Sequence, residues 1–332
     1  MRQIWLTSTG FAEVLELREV SDPTPRNGEV RIQVEAAGVS DIDLLPDEGA
    51  SPGAVPQGPG IEVAGIVDRV AQGVSGLKEG DPVLAVTLGN GYADFVCVPE
   101  ERVFKRLEWM GAVDGAALPS DYAGAYLMLA VMGSLRRQDT VLLYDLASPL
   151  GLAAVDICKL AGARVIGLDD QRHHEQLSQL GLLKLIDLRQ RALESEVLRL
   201  TGGRGADLIL NPHGTEDWVR NVHLLSAGGR LVSFRGRRSK WNFVDRVARF
   251  IRRQSLQRDS LIQGNRVVAG VDLRRLLADI PRLQQGMDRI IGWYDEALFR
   301  PRIAARFPLE RAREAHQFAR QRQALGKVVL VP

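Results

Sequence analysis

Residues 144–151 read Y-D-L-A-S-P-L-G and join a predicted buried strand, 140–144, to a predicted helix, 150–160. A turn in this position carries G-x-G-x-x-G when its backbone and the helix N-terminus hold the diphosphate of a dinucleotide. Here the glycine positions fall on Leu146, Ser148 and Gly151, and only the last, which lets helix and strand pack closely, is glycine. Pro149 removes one N–H donor, although the helix dipole remains and the hydroxyl of Ser148 could donate to a phosphate. We therefore expect diphosphate binding to be weakened and not abolished.

An acidic residue follows the next predicted strand, 164–168, at the spacing that a ribose-binding carboxylate requires. Asp169 lies 18 positions past Gly151 (169 minus 151), close to the roughly 20 typical of dinucleotide sites. A carboxylate there would accept hydrogen bonds from the ribose and repel a 2′-phosphate, which predicts NAD(H) over NADP(H). The alternative role is a helix N-cap, a role that Asp170 could also fill.

His213 and Tyr122 are candidates for proton transfer. His213 follows a predicted strand, 208–210, and an imidazole at a strand end can exchange a proton near neutral pH. The alternative for each is a structural role: His213 would be a hydrogen-bonded histidine, and Tyr122 would be an aromatic residue of the core. His173 and His174 are predicted to be a solvated surface pair, because neighbours on a helix point apart. A nucleophile elbow, G-x-S-x-G, does not occur in the sequence.

The composition is that of an ordinary globular protein. The 332 residues are 45% hydrophobic and 25% charged with a net charge of +2, which is too small to indicate a nucleic-acid partner. Cys97 and Cys158 lie inside apolar runs and are predicted to be buried free thiols in a reducing cytoplasm. The most apolar stretch, 122–132, is too short to cross a bilayer, and no secretory signal is evident, so no membrane partner is expected.

The pattern along the chain changes near residue 119. The first hundred or so residues contain short strands rich in Val and Ile between turn signals. Beyond a helix-like run, 122–135, predicted strands at 141–144, 164–168, 185–186, 208–210 and 230–234 alternate with predicted helices at 150–160, 173–180, 192–200 and 217–225. This alternation predicts an α/β domain with a doubly wound parallel sheet. The basic segment 235–258 predicts an amphipathic helix; its cationic face is either solvated or a docking site for a phosphorylated substrate such as an acyl-coenzyme A.

Several blocks of the sequence resemble the medium-chain dehydrogenase/reductase superfamily. They are E-V-L-E-L-R-E-V at 13–20, V-E-A-A-G-V at 34–39, P-G-I-E-V-A-G at 59–65 and G-K-V-V-L at 326–330, with G-N-R-V-V-A-G at 264–270 closest to the zinc-independent quinone oxidoreductase and VAT-1-like branch. The resemblance implies a GroES-like β-rich catalytic domain, 1–118 and 295–332, and a Rossmann dinucleotide-binding domain, 119–294, with a degenerate glycine loop. It also implies an active site in the cleft at the carboxyl ends of the parallel strands, and a homodimer joined through edge strands.

The resemblance can be carried to single residues. Zinc-dependent relatives have ligands at the positions of Ser40 and Ile61 and near Ser120, and these three residues do not form a plausible zinc ligand set, so no metal is expected. Gly124 stands where relatives have a threonine behind the nicotinamide, and Ser51 stands where enoyl reductases have a tyrosine proton donor. The implied cleft residues are Ser40, Asp41, Ser51, Ser120, Asp121 and Tyr122. The implied cofactor contacts are Gly124, Ser148, Pro149, Leu150, Gly151, Asp169, His213, Gly214 and Phe234.

The expected function is therefore zinc-independent, NAD(P)H-dependent reduction of a small molecule with an activated double bond (an enone or enoyl thioester) or of a quinone. Ser40, Ser51, Tyr122 or His213 would protonate the product, unless water does. The alternative is a non-redox descendant of the family with impaired dinucleotide binding. Such a descendant would be a cofactor-free isomerase or cyclase, or a binding protein.

Overall fold

The computed structural model describes residues 1–6, 15–44, 58–189, 193–213, 218–234, 258–322 and 324–332. Their contacts divide the chain into two compact units, Met1–Gly124 with Arg274–Pro332, and Ala125–Leu273. The contacts therefore place the boundaries after residues 124 and 273, compared with 118 and 294 expected from the sequence.

The first unit is rich in β-structure. Its strands are β1 (Arg2–Leu6), β2 (Leu15–Glu19), β3 (Glu29–Val39), β4 (Glu62–Val70), β5 (Pro82–Val86), β6 (Phe95–Pro99), β7 (Val103–Lys105), β14 (Ile303–Pro308) and β15 (Lys327–Val331). Among the described residues, seven of them form one sheet in the order β14-β15-β3-β4-β5-β7, with β6 paired to β3. Strand β15 runs parallel to β14 and antiparallel to β3, so a late segment of the chain completes the early sheet.

Valine and isoleucine at the buried positions of β3 and β4 form the core of this unit. Val30, Ile32 and Val63 are almost fully buried, and the first two share the inner face of β3 because side chains alternate along a strand. The helices of the unit are α1 (Ala112–Gly115), α2 (Asp121–Tyr126), α9 (Ile280–Asp295) and α10 (Ala312–Gln321), together with most of α8 (Leu273–Leu277).

The second unit contains a parallel sheet with intervening helices. Its strands are β8 (Thr140–Tyr144), β9 (Arg164–Asp169), β10 (Lys184–Asp187), β11 (Ala206–Asn211), β12 (Leu225–Phe234) and β13 (Val267–Val271). Its helices within the described ranges are α3 (Pro149–Leu160), α4 (His174–Leu177), α5 (Leu193–Leu200), α6 (Trp218–Leu224) and α7 (Arg258–Gln263). All pairings are parallel, in the order β10-β9-β8-β11-β12-β13. This is the strand order of a doubly wound dinucleotide-binding sheet, and it confirms the predicted α/β fold class.

Some predicted elements differ in detail. The predicted helix 122–135 is α2 followed by a π-helical stretch, Leu127–Met132, and the predicted helix 173–180 is a series of short turns around α4. Nearly all of the basic segment 235–258 lies outside the described residues. Both cysteines are free thiols, but Cys97 is half-buried and not fully buried as predicted. Among the helices that the structure describes, none has the length and apolarity that crossing a membrane requires.

Candidate functional site

The candidate residues of the second unit gather at the carboxyl edge of its parallel sheet. Strands β8 and β9 end together, with Tyr144 beside Leu168, and β11 and β12 end together, with Asn211 beside Ser233. The strand order reverses between β8 and β11, and this reversal is where open parallel sheets bind ligands.

The turn into α3 is held by its own side chains. Ser148 is the N-cap of α3: its Oγ accepts a hydrogen bond from Gly151 N at 2.9 Å and donates one to Asp145 O at 2.7 Å. Pro149 is the first residue of the helix, where its fixed φ fits and its missing N–H costs nothing. A Cβ on Gly151 would lie 2.5 Å from Asp145 O, so no larger residue fits there.

The tight turn occurs one residue earlier than the glycine spacing predicts. Asp145 has the left-handed φ of +57°, a conformation that glycine adopts without strain. Leu146 is fully buried, and its Cδ2 lies 2.6 Å from the position that a Cβ on Gly167 would take. The Leu146 side chain therefore packs against β9, in space that Gly167 leaves free.

The Asp169 carboxylate is bound within the protein on both oxygens. Oδ2 accepts a hydrogen bond from Ala147 N at 2.6 Å, while Oδ1 accepts one from Asp170 N at 2.8 Å and lies 2.5 Å from His173 Nδ1. The N-cap of the following turn is Asp170, whose carboxylate accepts from Arg172 N. Asp169 is thus not the cap, but its side chain is only 3% exposed.

The prediction of a solvated histidine pair is wrong for His173. Its ring is buried and contacts Asp169, whereas His174 is only half-buried. Adjacent side chains point apart, so one of the two faces inward to the carboxylate.

The arrangement of strands and helix at this site fits a dinucleotide. The backbone N–H groups that would bind its diphosphate fit less well. The strand order, the turn, the N-terminus of α3 and a carboxylate at the end of β9 are all present. However, Pro149 has no N–H, and the N–H groups of Ala147 and Gly151 are already bound by Asp169 and Ser148. A diphosphate would rely on the helix dipole and on fewer amides than a glycine loop offers.

His213 lies at the same edge, just after β11. Its ring is half-buried and packs edge-on against Tyr144 with a centroid distance of 5.8 Å, and its backbone N–H donates to Asn211 Oδ1. Phe234, the last residue of β12, is largely buried. Gly214, a predicted cofactor contact, lies outside the described residues. At this edge the His213 imidazole therefore lies beside the Tyr144 ring.

In the first unit, Ser40 and Asp43 form a buried turn after β3. Ser40 Oγ accepts from Ile42 N, and Ser40 N donates to Asp43 Oδ2 at 3.0 Å. Asp43 also accepts hydrogen bonds from Gly60 N at 3.0 Å and from the hydroxyl of Tyr92 at 3.2 Å. Burial raises the pKa of Asp43 to about 6 despite these donors. Asp43 thus joins the end of β3 to the segment before β4.

A buried histidine extends this arrangement. His316 Nε2, on α10, lies 3.2 Å from the Tyr92 hydroxyl. Burial lowers the pKa of His316 to about 3, so the ring is neutral at physiological pH.

Lys327, Glu62, Asp121 and Ser120 form what we call the ionic cluster. Lys327 Nζ contacts Glu62 Oε1 and lies 2.6 Å from Asp121 Oδ2, and all three charged side chains are buried. Ser120 donates to Glu62 from both its hydroxyl, at 2.6 Å, and its backbone N–H, at 2.7 Å. Burial alone would lower the pKa of Lys327, but the two carboxylates raise it, while burial raises that of Asp121. The cluster fastens β15 to β4 and to the start of α2.

Most of the other candidate residues of this unit are packed inside the fold or paired with another side chain. Tyr122 is buried and stacks on Phe299 with a centroid distance of 4.3 Å. Gly124 lies inside α2, Asp41 faces Arg322 at 3.4 Å, and Ser51 lies outside the described residues. At the three positions where zinc-dependent relatives have ligands, Ser40, Ile61 and Ser120 are all buried. In the part of the chain that the structure describes, no three His, Cys, Asp or Glu side chains are grouped closely enough to hold a metal ion.

Five residues of the networks in the first unit are absent from the sequence-based set: Asp43, Glu62, Tyr92, His316 and Lys327. A signal existed for two of them, because Glu62 and Lys327 are charged residues next to apolar strand segments in blocks that carry the family resemblance. Nothing in a single sequence indicates that they contact each other.

Comparisons with known proteins agree with this architecture. Residues 26–115 match the alcohol dehydrogenase GroES-like domain, and residues 180–330 match the zinc-binding dehydrogenase family. The chain is 31% identical to the synaptic vesicle membrane protein VAT-1 homolog of Danio rerio, over 99% of this chain and 69% of that protein. It is 29% identical to the quinone oxidoreductase of Sus scrofa, over 100% and 98% of the two chains. The crystal structure of human VAT-1 homolog-like protein superposes with a TM-score of 0.84 at 26% identity, covering 100% of this chain and 98% of that one.

Proposed function

Because the chain belongs to the medium-chain dehydrogenase/reductase superfamily, in the branch of VAT-1 homologues and quinone oxidoreductases, we propose that it is a zinc-independent, NAD(P)H-dependent reductase. Its substrate is a small molecule with an activated double bond, an enone or enoyl thioester, or a quinone. The observation that carries the proposal is the carboxyl edge of the parallel sheet, where the α3 N-terminus and Asp169 stand at the two places that a dinucleotide contacts.

The nicotinamide, when bound, supplies the hydride. The N-terminus of α3, with Ser148, Pro149, Leu150 and Gly151, would hold the diphosphate through the helix dipole. Asp169 would accept hydrogen bonds from the adenosine ribose and favour NAD(H), since a carboxylate repels a 2′-phosphate. Phe234, at the end of β12, would line the nicotinamide side.

His213 donates the proton that completes the reduction. Among the described candidates it is more exposed than Ser40 and Tyr122, which are buried in turns and aromatic packing. An imidazole also exchanges protons near neutral pH far more readily than a hydroxyl.

Zinc independence is proposed from the side chains that this chain has where zinc-dependent relatives have ligands. Ser40, Ile61 and Ser120 offer no imidazole, thiolate or carboxylate, and the Ser120 hydroxyl is already bound to Glu62. Activity should therefore survive dialysis against a chelator, with no zinc found by elemental analysis of active protein. Loss of activity that added zinc restores would contradict this part of the proposal.

The chain forms a homodimer through the outer edge of β13, which has no partner strand among the described residues. Val267 on this strand is 52% exposed, which is unusual for a strand residue in an otherwise buried parallel sheet. Sedimentation should give a dimer, and Val267→Asp should shift it to a monomer.

The proposed location is the cytoplasm, because the free thiols of Cys97 and Cys158 suit a reducing compartment.

The experiment that tests the reductase is a side-by-side fluorescence titration with NADH and NADPH, followed by turnover assays with quinones, enones and enoyl thioesters. Saturable binding with NADH preferred, and oxidation of cofactor that depends on an acceptor, would support the proposal. No binding at millimolar concentrations of either cofactor would overturn it.

A second function is favoured by one specific observation, the internal hydrogen bonds from Ala147 and Gly151. If these bonds have replaced the diphosphate, the chain is a non-redox descendant: an isomerase or cyclase that needs no cofactor, or a binding protein. A ligand that binds equally well with and without NADH, and is neither oxidised nor reduced, would establish it.

A further inference from the structure

A cavity of about 540 Å³ opens at the amino-terminal edge of the parallel sheet, the edge opposite to Asp169 and His213. Its walls are the turn before β8, the turn between α3 and β9, and the starts of β9 and β11. The lining residues are Arg137, Gln138, Asp139, Gly162, Arg164, Arg204 and Asp207. The volume is within the range of small-molecule sites.

The two carboxylates of the cavity are already bound by other groups. Asp139 pairs with Arg230 at 2.6 Å and accepts a hydrogen bond from Arg136 N at 2.9 Å. Asp207 accepts from Thr140 N at 2.8 Å and from Ser226 Oγ at 3.0 Å. With Asp139 neutralised by Arg230, three arginines face one remaining carboxylate, which leaves two positive charges in the cavity.

The three arginines are not ion-paired with any residue that the structure describes, although many other arginines of the chain are. The guanidinium of Arg164 donates a hydrogen bond from Nη2 to Thr140 Oγ1 at 2.8 Å. All three arginines are exposed, so water screens their mutual repulsion, and an anion bound between them would remove it. Each also presents a planar fork of N–H donors that matches the oxygens of a phosphate.

The backbone of the cavity is fixed. Gln138 N donates to Gly162 O at 2.9 Å, and Arg164 N donates to Asp139 O at 2.8 Å. Gly162 has a φ of +70°, and a Cβ there would lie 3.2 Å from Arg137 Cγ. The stem of Arg137 thus lies close to this glycine, where a larger residue would crowd it.

We propose that this cavity is a binding site for the phosphoryl group of a small phosphorylated metabolite, separate from the nucleotide edge. The two surplus positive charges match a phosphate monoester dianion. The volume exceeds that of one phosphate group, so it also accommodates part of the molecule that carries the phosphate. The site does not depend on the proposed function, because all its residues lie at the other edge of the sheet.

The test is calorimetric titration of the full chain with inorganic phosphate and with glucose 6-phosphate, at constant ionic strength. Saturable binding of both is expected, with glucose 6-phosphate tighter. Arg137→Gln and Arg204→Gln should each weaken binding at least tenfold. Arg137→Lys should weaken it less, because the charge remains and the fork is lost.

Arg282→Gln, which removes an exposed arginine of α9, is the matched control and should leave the affinity unchanged. Circular dichroism should show that both cavity variants remain folded. No saturable binding at millimolar phosphate would overturn the proposal. Binding that persists in both cavity variants would do so too, because it would place the anion elsewhere, for example at the α3 N-terminus. Equal affinity for citrate would overturn the phosphoryl assignment.

Discussion

His173 Nδ1 lies 2.5 Å from Asp169 Oδ1, so the carboxylate at the end of β9 has a protein partner before any ribose is present. The other oxygen is bound to Ala147 N. In the proposed reductase, ribose hydroxyls would compete with an imidazole for Asp169, and we expect this competition to set the affinity for the dinucleotide.

His173→Ala should strengthen NADH binding by about three- to tenfold, the equivalent of one hydrogen bond that no longer competes. Fluorescence titration measures the change, and His174→Ala is the control on the neighbouring residue. Weaker NADH binding in the His173 variant alone would show instead that the imidazole orients Asp169 for the ribose.

Ser148→Gly combined with Pro149→Gly should also strengthen NADH binding. The first change releases Gly151 N–H and the second adds an N–H to the first turn of α3, while replacing a capping serine with glycine costs only a few tenths of a kcal/mol. The affinity for NADH, measured by the same titration, should rise severalfold. An unchanged affinity would mean that the amides of this turn do not limit binding.

Leu146→Ala tests a different property of the same turn, the packing of the Leu146 side chain in the core. Because Leu146 fills the space beside Gly167, this variant should lose about 2–5 kcal/mol of unfolding free energy in urea. A loss well under about 1 kcal/mol would show that the side chain is not part of the core.

His213→Gln should lower turnover by about 100-fold or more if the imidazole donates the proton, since general acids contribute factors of this size. The KM for NADH should change little, because glutamine preserves a polar side chain at the edge. Ser40→Ala is the comparison and should leave turnover nearly intact. Equal rates in the His213 variant and the parent protein would assign protonation to water.

Lys327→Met should destabilise the protein by about 3–5 kcal/mol, because it leaves the buried carboxylates of Glu62 and Asp121 without a counter-charge. Urea unfolding measures the loss. The variant that also carries Glu62→Gln and Asp121→Asn should recover part of it, since no buried charge then remains. If the single variant is as stable as the parent, the ionic cluster does not hold β15 in place.

His316→Gln should make the protein less sensitive to acid. The folded pKa of His316 is about 3, and the unfolded one is about 6.5. The unfolded chain therefore binds the proton first, and stability present above about pH 6.5 is lost as pH falls toward 3, by about 2 kcal/mol at about pH 5. Asp43 acts in the opposite direction, since its folded pKa is raised, so the variant must be compared with the parent at each pH.

Urea unfolding of His316→Gln at about pH 7.5 and about pH 5 should show this smaller loss. His223→Gln, an exposed histidine on α6, is the control and should unfold like the parent at both values. Identical pH profiles for His316→Gln and the parent would show that the ring does not resist protonation.

The elements of the second unit were predictable because their signals are local. The apolar run 141–144 and the Ser-Pro pair ahead of 150–160 mark β8 and α3 to within a residue. The parallel sheet follows from the alternation of strands and helices. The turn was harder, since spacing alone pointed to Leu146 and the left-handed residue is Asp145.

The contacts between distant residues were not predictable. Lys327 and Glu62 are far apart in sequence, and a single sequence carries no information on which charges pair. His173 shows the same limit at short range: the sequence gives two adjacent histidines, and only the fold decides which one faces Asp169. Charge and spacing therefore predict which edge of the parallel sheet could bind a nucleotide, whereas the hydrogen-bond and ion-pair networks of the two units needed the structure.

Strand β15 lies between β14 and β3, and its first residue supplies the ammonium that neutralises Glu62. During synthesis, β3 and β4 leave the ribosome long before residues 327–331 exist. Until then their sheet has an open edge and an unbalanced carboxylate. The nascent β-rich unit is thus exposed to chaperones, or to aggregation, for most of the time that translation takes. The β-rich unit, which is begun first during synthesis, should therefore be the second of the two units to complete its fold.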